Sequence, residues 1–154
     1  MNDILDQVKI NVENIKIPES TLEQWQQLLD MLVEFTEAQD ALINNYQAPY
    51  LKVIKGSSNP ENDFSAGDKF KVKGLYCEDT IKKQSSLEIN NAAEIKKWQQ
   101  SIYMENGLIA YLGYPILWPN GEIYGTICIH DDQQRNFSSL IKKQIKIIKD
   151  LIEN

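Results

Sequence analysis

Apolar residues recur at helical spacing in three parts of the chain and alternate or cluster between them. Ile4, Val8, Val12 and Ile15 fall on one stripe and predict a helix over 3–15, a short N-terminal extension (1–18) closed by Pro18. Leu22, Trp25, Leu29, Leu32 and Thr36 repeat at three and four and predict a second helix over 21–39. Ser20, with Glu23 three residues on, has the form of a capping box at its start. Near the other end Ile141, Ile145, Ile148 and Ile152 form a seam, with Lys142, Lys143, Lys146 and Lys149 largely away from it. They predict a last helix over 137–152, capped by Ser138 or Asn136.

The middle of the chain has strand texture. Segments 41–46 and 50–55 read as two strands joined by a turn at Pro49, whose fixed backbone angle and missing N–H suit a turn. Residues 56–68 are rich in Ser, Asn, Pro and Gly and read as a loop. A short helix is expected over 73–83, a short strand over 86–89, and irregular or helical structure over 92–106. Segments 108–118 and 122–130 form the clearest hairpin, turning at Asn120-Gly121, where both residue types tolerate positive φ. Helices at both ends and strands between give an α+β fold: an antiparallel sheet with the terminal helices on one face and the middle segment closing the other.

Strand alternation divides the hairpin side chains. Tyr111, Gly113 and Pro115 share a face, opposite Leu112 and Tyr114. Tyr124, Thr126, Cys128 and His130 share a face, opposite Ile123, Gly125, Ile127 and Ile129. The aliphatic set suits packing on helices, and the set with hydroxyls, thiol and imidazole suits the wall of a pocket.

Composition and charge remove several functions. A chain of 154 residues suits one domain. With 16 basic against 22 acidic side chains, its formal charge is −6. That is a poor surface for nucleic acid or anionic membranes, so neither is expected as a partner. No segment has the length and apolarity of a membrane span, and the acidic N-terminus is unlike a signal peptide, so a cytoplasmic location is expected.

Chemistry is sparse. His130 is the one histidine, and Cys77 and Cys128 are the two cysteines. They supply no metal-ligand spacing and no catalytic triad, so no metal and no catalytic residue is expected. His130 reads either as a satisfied strand-end residue or as a pocket-facing, pH-sensitive group. Cys77 lies near a predicted helix start, where a thiol pKa is lowered; Cys128 reads as a small core residue. Asp131-Asp132 point apart on a strand and do not pair for acid–base work.

The ordered segments Gly74-Leu75-Tyr76-Cys77-Glu78-Asp79-Thr80-Ile81, Asn90-Asn91-Ala92, Trp98, Tyr111 through Gly121, and Gly125 through Asp131 resemble GAF domains. The likeness is to those at the front of bacterial sensor histidine kinases and diguanylate cyclases, and it covers residues 21–154. It implies a PAS-like six-stranded antiparallel sheet with a ligand pocket on one face and the terminal helices, often a dimer interface, on the other. Residues 19–154 would form that domain.

The function implied is a sensory and regulatory one. A small molecule, not identified by the sequence, binds, and the terminal helices relay its occupancy to an output domain or partner. Either an output domain follows in the full protein or the domain acts alone. The pocket-lining candidates are Tyr76, Cys77, Thr80, Trp98, Tyr103, Tyr111, Cys128 and His130. No cofactor is expected: neither cysteine is followed by the histidine typical of bilin attachment, and the residue set of cyclic-nucleotide-binding GAF domains is not recognisable. The alternatives are a thiol reductase similar to free methionine-R-sulfoxide reductases, whose cysteine motifs are not matched here, and a ligand-free dimerisation module.

Overall fold

The computed structural model describes residues 17–154, so the helix expected over 3–15 lies outside the described residues. Helix α1 (Glu19–Thr36) opens the described chain. Strands β1 (Asp40–Gln47), β2 (Tyr50–Gly56) and β3 (Lys69–Lys71) follow, then helix α2 (Tyr76–Lys83) and strand β4 (Leu87–Ile89). Two 3-10 turns (Ala92–Glu94 and Lys96–Trp98) and helix α3 (Ile102–Glu105) lead to β5 (Ala110–Leu117), β6 (Ile123–Asp131) and helix α4 (Ser139–Glu153). The six strands form one sheet in the order β3-β2-β1-β6-β5-β4, and every neighbouring pair is antiparallel.

The helix periodicities place the expected faces. Trp25, Leu29, Leu32 and Thr36 are the buried residues of α1, and Ile145 and Ile152 those of α4, with Ile141 and Ile148 half-buried beside them. Both helices lie on one side of the sheet, over Ala41, Ile43, Leu112, Ile116, Ile127 and Ile129. The opposite side packs Leu42, Leu51, Val53 and Tyr111 against Phe64, Tyr76, Cys77, Trp98 and Tyr103 from the segments between β2 and β5. Buried apolar layers on both faces fix the strand register, because a slip by one residue would exchange the two faces.

Several local expectations need correction. The capping box at Ser20 does not form: Pro18 precedes the first turn, and its carbonyl accepts the Thr21 and Leu22 N–H groups. Helix α1 ends at Thr36, short of residue 39, where Glu37 turns into the left-handed region. Strand β3 lies just after the expected loop in residues assigned to no element; its pairing with β2 supplies what its own three residues do not signal.

The β5–β6 turn is longer than an Asn-Gly pair. Gly121 N–H donates to Trp118 O and Trp118 N–H to Glu122 O, and Gly121 has φ +87 while Asn120 is not among the positive-φ residues. That is the three-residue hairpin in which a turn is followed by a left-handed glycine. A bulge follows, with Ile116 opposite Gly125 and Leu117 opposite Ile123, so Tyr124 is the extra residue. The bulge turns Tyr124 onto the helix face, where its ring meets Trp25 and Trp118 edge-on at 6.1 and 5.1 Å. Its expected place beside Thr126, Cys128 and His130 is therefore wrong. Gly125 is required at this step, since a Cβ there would overlap the Asn44 carbonyl.

Candidate functional site

Strands β1 and β6 build the floor of the cluster from three cross-strand rungs. Asp40 pairs with His130, Leu42 with Cys128, and Asn44 with Thr126. Alternation along β1 directs these residues to the face away from α1 and α4. Two polar rungs thus flank an apolar one, in a strand whose other face carries Ala41 and Ile43.

The roof comes from α2 and the 92–106 segment. Tyr76, Cys77 and Thr80 are the buried residues of α2. Asn91 caps the first 3-10 turn through Ala93 N–H, and Ser101 caps α3 through Tyr103 N–H, so both short elements have fixed starts. They deliver Trp98 and Tyr103. The Tyr76 ring meets Trp98 at 5.0 Å, Tyr103 at 4.8 Å and Tyr111 at 5.5 Å. Tyr103 lies over the His130 ring at 4.3 Å.

All eight residues singled out in the sequence meet in this cluster, and each is buried. Their side chains pack on one another between sheet and roof. Among the described residues, two of the open grooves lie elsewhere. One of about 250 Å³ runs between the start of α1, the end of α4 and the β5–β6 hairpin, against Trp25, Ile116, Trp118 and Ile152. The other, about 490 Å³, is polar and is lined by Glu37, Asn59, Glu61, Asp131, Asp132 and Arg135 among others. None of the eight lines either groove.

Hydrogen bonding centres on Cys77. Its Sγ receives Tyr111 Oη at 3.3 Å and Thr126 Oγ1 at 3.4 Å, and Tyr103 Oη stands 3.6 Å away. Asn44 Nδ2 reaches three neighbours: Thr126 Oγ1 at 3.1 Å, Cys128 Sγ at 3.7 Å and Cys77 Sγ at 3.9 Å. Thr80 Oγ1 and Tyr111 Oη are 2.7 Å apart; with the tyrosine proton given to Cys77, the threonine donates. Tyr76 Oη donates to Leu108 O.

Burial pushes the Cys77 thiol up, but hydrogen bonds from Cys128, Thr126 and Tyr111, with His130 nearby, outweigh it and hold it below the usual thiol range. Cys128 moves the other way, raised by burial and then by its neighbour Cys77. The Tyr103 and Tyr111 phenols are likewise raised, first by burial and then by the Cys77 charge.

At the far end of the floor His130 Nδ1 and Asp40 Oδ1 are 2.7 Å apart, both side chains wholly buried. His130 Nε2, Asp40 Oδ2 and, two rungs along, Asn44 Oδ1 have no hydrogen-bond partner. Each such buried atom costs about 1–3 kcal/mol. Among the described residues no group of three or more His, Cys, Asp or Glu side chains is arranged to hold a metal ion.

Asp40, Asn44 and Phe64 belong to the cluster but were missed in the sequence. The signal for the first two was present, since polar residues at 40 and 44 interrupt one face of an apolar strand. Phe64 comes from the 56–68 loop and packs 6.0 Å from Tyr103 and 6.1 Å from His130; no periodicity marks it.

The GAF domain family profile matches residues 20–151. The chain belongs to the GAF family. Among curated proteins none matches it. Solved structures share the fold at low identity. The phycocyanobilin-bound GAF domain of a cyanobacterial phytochrome has 12% identity and a TM-score of 0.72, over 99% of this chain and 91% of that one. The GAF domain of an Acinetobacter phosphoenolpyruvate-protein phosphotransferase has 13% identity and a TM-score of 0.70, over 97% and 89%. A type II free methionine-R-sulfoxide reductase from Thermoplasma acidophilum has 17% identity and a TM-score of 0.71, over 88% and 91%. The neighbours of this GAF domain thus include a phytochrome domain and a reductase. Among the described residues no helix is long and apolar enough to cross a membrane.

Proposed function

We propose that this GAF domain is a cytoplasmic sensory module that takes a small molecule between its sheet and the 92–106 roof. Occupancy is relayed through α1 and α4 to an output such as a histidine kinase or diguanylate cyclase. The observation that carries the reading is the floor itself, where His130 Nε2 and Asn44 Oδ1 lie buried without partners beneath a layer of aromatic rings. A ligand with hydrogen-bond donors would satisfy such acceptors, and tyrosine faces would cover its apolar part. Entry requires the roof to lift, because the eight residues Tyr76, Cys77, Thr80, Trp98, Tyr103, Tyr111, Cys128 and His130 now pack on one another.

Movement of the roof has a route to the helices. Asn90 Nδ2 and Arg135 N–H tie the start of the roof to the segment before α4, and Arg135 Nη2 donates to Thr36 O at the end of α1. A ligand biases this linkage only by its differential affinity for the two roof positions. Thermal unfolding against a panel of metabolites tests the binding. A true ligand at a hundred times its Kd adds about 2.7 kcal/mol of stability, and Thr126→Leu with Asn44→Leu removes the gain. If the doubly substituted domain keeps the gain, the molecule binds elsewhere.

The interlocked cluster also favours a second reading, a ligand-free dimerisation module. Met31 and Phe35 on α1, with Leu140, Ile147 and Leu151 on α4, are exposed on the helix side and would form its interface.

A further inference from the structure

The two cysteines stand 51 positions apart in the chain, yet the fold brings both sulfurs to one amide, 3.9 and 3.7 Å from Asn44 Nδ2. Both are free thiols and wholly buried. A buried cysteine ordinarily behaves as a small hydrophobe and needs no donors. Cys77 instead gathers Tyr111 Oη, Thr126 Oγ1 and Asn44 Nδ2, with Tyr103 Oη beside it. It is also the second residue of α2, where the helix N-terminus favours negative charge. Cys128 sits on the rigid floor of β6 between two polar rungs, with no such set of donors around it.

We propose that Cys77 and Cys128 are a redox-active pair that a hydroperoxide converts to an intramolecular disulfide and an external dithiol restores. The inference goes beyond ligand binding, since it needs no bound molecule.

Cys77 is the attacking sulfur. As a thiolate it attacks one peroxide oxygen; the S–O bond forms, the O–O bond breaks, and the leaving alkoxide or hydroxide takes up a proton as alcohol or water. Cys77 is then a sulfenic acid. The Cys128 sulfur attacks it, the S–S bond forms and the S–O bond breaks, and water leaves with the Cys128 proton. Two thiols have lost two electrons, and the peroxide has gained them. The division of labour follows the environments: hydrogen bonds hold the Cys77 thiol below its usual range, and burial pushes Cys128 above it. Access comes through the roof, whose two 3-10 turns and four-residue helix are short local elements able to open without unfolding the sheet.

The test uses hydrogen peroxide on the full chain. Free thiols counted after denaturation should fall from the two now present to none. The intact mass should drop by two hydrogens, and dithiothreitol should reverse both changes. Cys128→Ser should stop at a sulfenic acid on Cys77, trapped by a cyclic 1,3-dione, and Cys77→Ser should leave Cys128 reduced. If either variant fails to fold, a peptide map of the oxidised wild type decides alone, by showing a Cys77 peptide joined to a Cys128 peptide within one chain. Retention of both thiols by the folded wild type overturns the proposal. So does oxidation that gives only sulfinic acid or disulfides between chains. None of these outcomes bears on metabolite binding, which is read separately by thermal unfolding.

Discussion

His130 and Asp40 show what burial does to single side chains. With both wholly enclosed and 2.7 Å apart, removing one partner strands the other. Leaving the buried Asp40 carboxyl without its partner costs about 1–3 kcal/mol, and the cavity left by the imidazole ring adds to it, which together exceed the roughly 0.5–1.5 kcal/mol of Ile→Val at a core position such as Ile129. Urea unfolding of His130→Ala should show the larger loss, and a loss no greater than that of Ile129→Val would mean the His130–Asp40 contact contributes little to the fold. Gly113 makes a second prediction at this scale. The Tyr111 ring folds over it, and a Cβ there would overlap the Tyr111 hydroxyl. Gly113→Ala should displace that ring, break its bonds to Thr80 and Cys77, and make Cys77 react faster with a thiol reagent in the folded protein. An unchanged rate would show that Tyr111 does not guard the sulfur. Residues of this kind were partly legible: Cys128 and His130 reach the roof side by strand alternation. Tyr124 was misplaced because a bulge breaks that alternation, and bulges depend on pairing the local sequence does not show.

Between elements, legibility followed period and length. Helices α1 and α4 carry a core seam over several turns, so their faces could be read directly; Ser138 caps α4 as expected, but at the start of α1 Pro18 replaces the Ser20 cap. Strand β3 has only Lys69, Phe70 and Lys71, too short for any period. The link between edge strand β4 and helix α4 was equally invisible, since it joins Glu88 to Lys142 across 54 positions with a 2.7 Å ion pair. Burial raises the Glu88 carboxyl, but hydrogen bonds from Lys142 and Asn90 outweigh it and hold it below the usual range. A lowered folded pKa stabilises the protein above the ordinary carboxylate range and is lost as pH falls through the folded value. Both side chains are partly exposed, so the effect is small. Glu88→Gln should therefore lower the melting temperature slightly at neutral pH, and the difference should vanish once Glu88 is protonated in wild type. A difference that persists into acid would assign the loss to packing instead.

At the scale of the whole molecule, the helix side is as telling as the floor. Met31, Phe35, Leu140, Ile147 and Leu151 leave large apolar groups in water along α1 and α4. A homodimer through these helices is the proposed arrangement. Light scattering at high protein concentration should give twice the chain mass, and Phe35→Glu with Ile147→Glu should return it to that of one chain. A wild-type monomer would remove the dimer from the account. The GAF fold was legible because an ordered run of motifs spans nearly the whole chain. The state of its interior was not, because packing depends on contacts between segments far apart in sequence. The floor beneath the roof is proposed to receive a small molecule. Comparison of native and denatured masses of the protein as purified decides this: a non-covalent excess is expected in the native spectrum and should vanish in Thr126→Leu with Asn44→Leu, whereas an excess retained in full by that variant would place the molecule elsewhere.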